Sequence, residues 1–277
     1  MTTLMAETVS PPARKGFGPL LAQWRKTRNM SQLDLALEAD VSPRHVCFIE
    51  TGRARPSREM VLQLADALTV PLRERNTLLL TAGFAPIFTE SKLDDPQLAS
   101  VRSALDAILK QQEPFPAVVM NRSWDIVGSN EAATRFFELM LDGRKPGGTP
   151  NVLRLMFDPE GLRPAVVNWD EVARSLIHRL HREAVEGVLE PAARTLLKEL
   201  FAFPEVPTHW RVPDFEAALL PILPIRFRQG KQDFQFFSAV TVFGTPQDIT
   251  LQELRIECFF PADEKTRAAA KRLARTR

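Results

Sequence analysis

Positions 44, 45 and 48 of this 277-residue chain hold an arginine, a histidine and a phenylalanine, and two more arginines follow at 53 and 55. Side chains of these types, spaced about one helical turn apart, suit a double-stranded polyanion. Arg44 and His45 are expected to touch base edges and Phe48 to pack against a thymine methyl. Arg53 and Arg55 are expected to hold phosphates, with Gln32 on a backbone phosphate and the Ser42 hydroxyl at the start of the same helix. A chemistry of this kind needs a rigid helix presented outward.

The stretch Ser31–Gly52, SQLDLALEADVSPRHVCFIETG, supplies one. Ser31 with Asp34 three residues on predicts a capping box, which occupies N–H groups that the first helical turn leaves free. Ser42 repeats the cap with Pro43 at the first helical position, where its fixed φ costs no hydrogen bond. A second helix is therefore expected from Pro43 to about Thr51, closed by Gly52 in a left-handed conformation. Leu35, Ala36, Ala39, Val46 and Ile49 form the expected buried seam. Asp40 stands in the turn between the helices, where a left-handed residue is required and Asp tolerates one at modest cost.

Caps, seam and the Glu50-Thr51-Gly52 ending fall in register in QLDLALEADVSPRHVCFIETGRARPSREM. The stretch resembles the xenobiotic-response-element, or lambda-repressor/Cro-type, helix-turn-helix family over residues 17–83. The resemblance implies a DNA-reading bundle of five helices. It also implies a homodimer on half-sites about 34 Å apart, because one helix reads only a few base pairs.

Composition bounds the rest. An apolar content of 44% supports a core, and the length suits two domains. Net charge is only +2, yet residues 1–85 carry 11 Lys and Arg against 8 Asp and Glu, so the basic excess sits with the first domain. No run approaches the ~20 apolar residues of a membrane span, and residues 1–16 read as a flexible tail without a secretory signal. Cys47 and Cys258 suit reduced thiols in a cytoplasmic protein.

Phe17, Leu20, Leu21 and Trp24 predict a first helix ending near Arg28, where Arg25, Lys26 and Arg28 suit the negative end of the helix dipole. Ser57 caps a fourth helix with Met60, Val61, Leu64 and Leu68 inward, and a fifth runs from Leu72 to Ala82 with Leu78, Leu79 and Leu80. Residues 84–96, bracketed by Pro86 and Pro96, read as a linker. A second domain is expected over 97–262. It opens with a helix to about Gln111, continues with the strands AVVMN and WDIVGSN and a helix capped by Asn130, and passes through helices beginning near Val152, Trp169 and Pro191. Three long strands end it, in LLPILPIRFRQ, DFQFFSAVTVF and ITLQELRIECFF. The last should turn Leu254, Ile256, Cys258 and Phe260 to a core and Glu253, Arg255 and Glu257 to water. Residues 263–277, with Lys265, Arg267, Lys271, Arg272, Arg275 and Arg277, read as a basic tail frayed in solvent. The fold class is thus α+β in two domains, an all-α five-helix bundle followed by a five-stranded antiparallel sheet with helices on one side.

This order of elements is similar to a PAS domain, and NRSWDIVGSNEAA resembles the start of the MmyB-like transcription-regulator ligand-binding domain. The resemblance implies a bacterial regulator that senses a small, largely apolar molecule, such as a fatty acid, between sheet and helices. It implies no other cofactor. Trp124, Phe136, Phe137, Met156, Trp169, Leu176 and Phe236 are candidates for the lining, although the same residues serve equally as plain core. Arg226, with Arg228, is a candidate clamp for a ligand carboxylate. His178 and His181 share a helical face without the further ligands a zinc site needs. G-x-S-x-G, P-loop, G-x-G-x-x-G and H-E-x-x-H patterns are absent, so no catalytic or metal site is expected and an enzymatic second domain is the weaker reading. A protein-interaction or dimerisation module without ligand stays open beside the sensor.

Overall fold

The computed structural model describes residues 16–145, 148, 150–186, 191–212, 222, 224–244 and 246–275, so most of the expected N-terminal tail lies outside it. The chain divides into two compact units, 1–88 and 89–277.

In the first unit, α1 spans Phe17–Thr27, α2 Gln32–Glu38, α3 Pro43–Glu50, α4 Arg58–Ala67 and α5 Leu72–Ala82. Both halves of the capping box are made. Ser31 Oγ accepts from Asp34 N at 3.1 Å and Asp34 Oδ2 accepts from Ser31 N at 2.8 Å, which holds the Asp34 carboxyl below its ordinary range. Ser42 Oγ accepts from His45 N, Asp40 takes φ 49°, and Gly52 takes φ 75° just past the end of α3. The five seam residues are buried. Three consecutive leucines cannot share one face of a helix that turns 100° per residue. Accordingly Leu78 and Leu79 are buried and Leu80 is 59% exposed. A Cβ on Gly18 would stand 2.5 Å from the carbonyl oxygens of Ile49 and Glu50, so α1 crosses the end of α3 backbone against backbone and fixes where α3 sits.

The second unit contains α6 Ala99–Gln112, β1 Ala117–Met120, β2 Ile126–Ser129, α7 Glu131–Leu141, α8 Val152–Phe157, α9 Trp169–Glu186 and α10 Pro191–Leu200. After these come β3 Ile225–Gln229, β4 Gln232–Thr241, α11 Ile249–Glu253, β5 Arg255–Pro261 and α12 Glu264–Leu273. The strands form one antiparallel sheet in the order β2-β1-β5-β4-β3. Of the expected third-from-last strand, 219–221 and 223 lie outside the described residues.

Three expectations are corrected. Residues 249–253 are helical rather than extended, because Asp248 caps them through Thr250 N at 2.8 Å; the last strand starts only at Arg255. Helices cover both faces of the sheet, since Leu105 and Leu109 of α6 pack on Ala117, Val119, Ile256 and Cys258 while Phe136, Val172 and Leu180 lie in the cluster on the other face. Central β5 therefore has no watery side, and Glu257 is buried. Finally, the basic segment is not frayed: Asp263 caps α12 through Thr266 N, Thr266 Oγ1 accepts from Gln235 N of β4, and Ala269 and Ala270 are buried. Its described cations stay on the outer face, where Arg267 lies 5.7 Å over the Phe115 ring, and Arg277 lies outside the described residues.

The stretch read as a linker is hydrogen-bonded within each unit. Asn76 Oδ1 accepts from Ile87 N and Phe88 N in the first. In the second, buried Asp248 accepts from Thr89 Oγ1 at 2.9 Å, Ser91 N at 3.1 Å and Ser91 Oγ at 2.8 Å. Burial opposes the Asp248 charge, but these bonds outweigh it and hold the carboxyl below its usual value. A carboxyl with a depressed native pKa stabilises the fold above the ordinary range near about 3.9, and that contribution is lost as pH falls through the depressed value. Asp248→Asn is expected to lower the thermal midpoint of this unit at neutral pH, the gap from the parent closing below about pH 4. Melting curves across pH test it; a gap independent of pH would mean that the charge is immaterial.

Candidate DNA-reading face and ligand cavity

On the first unit, Ser42, Arg44, Arg53 and Arg55 are exposed, and Gln32, His45 and Phe48 are half-buried. The α3 cap points the first turn of that helix outward with Arg44 and His45 on it. The Phe48 ring lies 5.1 Å from the Arg44 guanidinium and 5.9 Å from that of Arg53, so both cations sit within cation–π reach of it. Six of the seven candidate side chains thus come from α3 and the turn just beyond it, with Gln32 at the start of α2.

Sequence reasoning missed the support beneath them. Arg25 grips Glu50 with two of its three nitrogens, Nε to Oε1 at 2.7 Å and Nη2 to Oε2 at 3.0 Å, and donates through Nη1 to Met30 O. The Glu50 hydrogen bond raises the Arg25 pKa, the pair being 11% and 6% exposed. Gln32 Nε2 donates to the same Glu50 carboxylate at 2.7 Å, so one buried ion pair sets the start of α2 against the end of α3. Arg28, read as a cap of its own helix, instead donates to Leu68 O and Thr69 O at the end of α4 and lies over Trp24.

In the second unit an apolar cavity of about 40 Å³ lies between the sheet and the helices. Phe136, Phe137, Met156 and Leu176 are on its wall. The other four candidates are elsewhere. Trp124 takes φ 65° in the β1–β2 turn and is buried with its indole donating to Glu183 Oε2, flanked by Arg179 at 4.5 Å and Arg255 at 5.5 Å. Trp169 donates to Met156 O and packs edge-on to Phe157, while Phe236 stacks on Phe234 in the core. Arg226 projects outward from β3, on the face opposite buried Phe227, and clamps nothing in the cavity. Residue type and period are shared by core and cavity wall, which is why the sequence could not separate these groups.

The residue whose place was misread is Glu257, expected to face water and found in the cavity wall at 8% exposure. Burial pushes its carboxyl above the usual range, against the pull of a Ser238 hydrogen bond and the Arg179 charge. A more open cleft of about 300 Å³ adjoins the cavity and shares Ile126, Phe137 and Leu155 with it. Among the described residues no group of three or more His, Cys, Asp or Glu is placed to hold a metal, and no helix is long and apolar enough to cross a membrane. Both cysteines are free thiols.

A helix-turn-helix bundle followed by a helix-covered sheet with an apolar cavity defines a DNA-binding transcription regulator with a ligand-binding domain. The helix-turn-helix family matches residues 21–75. Residues 101–273 match the MmyB-like transcription regulator ligand binding domain, and the chain belongs to that family. No curated protein matches the chain. A solved structure of an RNA-binding light-oxygen-voltage receptor aligns over 94% of this chain and 62% of its own length, at 11% identity and a TM-score of 0.26, a likeness too slight to bear on the function.

Proposed function

We propose that the chain is a homodimeric, sequence-specific regulator that reads an operator through α3 and whose second unit senses a small, largely apolar ligand. The observation that carries this reading is the cavity between sheet and helices, separated from a larger cleft by the shared side chains of Ile126, Phe137 and Leu155, on a chain that also holds a helix-turn-helix. A fatty acid supplies the required apolar chain; its head group is the part the cavity decides. In this structure the inner chamber is nearly filled, since small-molecule sites run to roughly 300–1,000 Å³. Ligand entry therefore requires Ile126, Phe137 and Leu155 to move and join the two spaces. That differential between filled and opened forms is what allows a ligand to shift DNA affinity at all.

The test is operator binding by the full chain with and without apolar ligands, alongside two variants. Arg44→Ala is expected to cost ~1–3 kcal/mol on the specific site and to relax sequence preference, whereas Arg53→Ala weakens specific and random DNA alike. An occupied cavity is expected to shift operator affinity by ~1–3 kcal/mol. Equal losses on all DNA for both variants overturn the division of labour on α3. A monomeric mass with binding to a single half-site overturns the dimer. Failure of every apolar ligand leaves the second unit as an interaction module.

A further inference from the structure

The two units are joined with almost no slack. In the first, both polar backbone groups of Phe88 are held by Asn76: its N–H donates to Asn76 Oδ1 at 3.1 Å and its carbonyl accepts from Asn76 Nδ2 at 2.8 Å. In the second, the grip begins at the next residue. Thr89 O accepts from Ile249 N at 2.9 Å, and Thr89 Oγ1, Ser91 N and Ser91 Oγ all donate to one oxygen of Asp248, Oδ2. Thr250 Oγ1 donates to Ser91 O at 2.6 Å, and Gln97 Nε2 to Ser91 Oγ at 2.7 Å. Only the Phe88–Thr89 peptide separates the two grips, so the joint turns about the backbone dihedrals beside that peptide and cannot lengthen.

Asp248 works from two sides. Its Oδ1 accepts from Thr250 N and so caps α11, which runs on through Leu254 into β5 at the centre of the sheet, while Oδ2 takes the strap. The carboxylate is 7% exposed, and a charge at that depth is kept only where donors satisfy it. Half of the strap's bonds end on Asp248, and Ile249 and Thr250, which make two of the others, belong to the helix that it caps. Beyond them the chain is held again where Arg102 Nη1 donates to Leu93 O and Asp95 O at 2.7 Å each. Released, residues 89–92 would add about 13 Å of reach at ~3.3 Å per residue, close to the rise of four base pairs.

Resting on the homodimer proposed above, we infer that Asp248 is a positioning residue for DNA recognition. By latching Thr89 and Ser91 to α11 it denies the joint any slack, and so fixes the half-site separation at which both copies of α3 engage one operator. A slack joint would accept a range of separations.

The test is selection of binding sites from a duplex library of random sequence by the full chain and three variants, with sequencing to read the separation of repeated half-sites. One variant inserts Gly-Ser-Gly-Ser-Gly-Ser between Phe88 and Thr89, which leaves the residues of both grips in place and adds roughly 13 Å of flexible chain. The second is Asp248→Ala. The third, Thr89→Val with Ser91→Ala, removes the strap hydroxyls but spares the α11 cap, and decides the matter should the second not fold. The parent is expected to select one separation to within about one base pair, and the variants to spread over about four. On the parent's site lengthened by two base pairs, the parent should lose about a hundredfold in affinity, the worth of its second half-site, and the variants about threefold. A loss of stability alone would leave the separation unchanged. An insertion variant as selective as the parent means that the helical bundles pair directly, and overturns the inference. An insertion variant that spreads beside folded latch variants that do not overturns the role of Asp248, as does a parent that itself accepts several separations. Selection of single unrepeated half-sites by a monomeric parent is a different result: the homodimer fails, and this assignment with it.

Discussion

Replacing Phe136 with alanine is expected to destabilise the second unit by about 3–5 kcal/mol, the range for removing a large aromatic from a packed core. Phe136 is 3% exposed and meets three rings edge-on, Phe227 at 5.0 Å and Phe234 and Phe236 each at 5.4 Å. Each such pair is worth about 0.5–1.5 kcal/mol beyond the area it buries, so truncation loses more than transfer energy. Because Phe136 also lines the apolar chamber, the void it leaves runs into an existing cavity rather than collapsing. Chemical unfolding should show the transition of the sheet unit moving down while that of the helical bundle stays in place. The variant should also bind a small apolar probe more tightly than the parent does. A loss below about 1 kcal/mol would show that the ring cluster is loosely packed and not the centre of this core.

A comparable loss, about 3–5 kcal/mol, is expected in the first unit from Arg25→Ala. The cost arises less from the missing attraction than from what remains. Glu50 is left charged at 6% exposure with only Gln32 as a hydrogen-bonding partner, and burying an uncompensated charge is expensive. Replacing both partners, as Arg25→Met with Glu50→Leu, should recover most of the stability, since no charge is then stranded. Operator binding provides a separate readout: the double variant folds but loses the bond that sets Gln32, so its DNA affinity stays below that of the parent. If the single and double variants unfold at the same denaturant concentration, the pair contributes through packing alone.

The features legible in the sequence are those decided within one turn of chain. Ser31 with Asp34, Ser42 with Pro43 and Asn130 announce helix starts because the cap and the N–H it satisfies are neighbours, and α1 to α5 follow from such signals and from 3.6-residue spacing. Local signals misled where two of them competed. Ile249 and Thr250 favour a strand by residue type, but the Asp248 cap prevailed; in α12 the Asp263 cap and the alanines prevailed over the basic charges. Contacts between distant positions left no trace. Arg25 and Glu50 are 25 residues apart in the sequence, and the helices over β5 determine that Glu257 faces a cavity where its strand period alone predicts water. The residues of the proposed DNA-reading face could be read together because six of the seven stand at the start of α3, on it or just beyond it. Membership of the cavity wall was not, since it depends on which apolar side chains happen to border a gap.

The strand order has a further consequence for how the molecule comes into being. In β2-β1-β5-β4-β3 the strand beside β1 is the last of the five to be made, so β1 waits from Met120 until Arg255 has been synthesised before its outer edge is paired. Throughout that interval an apolar β1 with every residue destined for burial presents open hydrogen-bonding groups. The helical bundle, built from contacts near in sequence, meanwhile closes in its own time. A nascent chain thus acquires its helix-turn-helix well before it can form the chamber of the second unit.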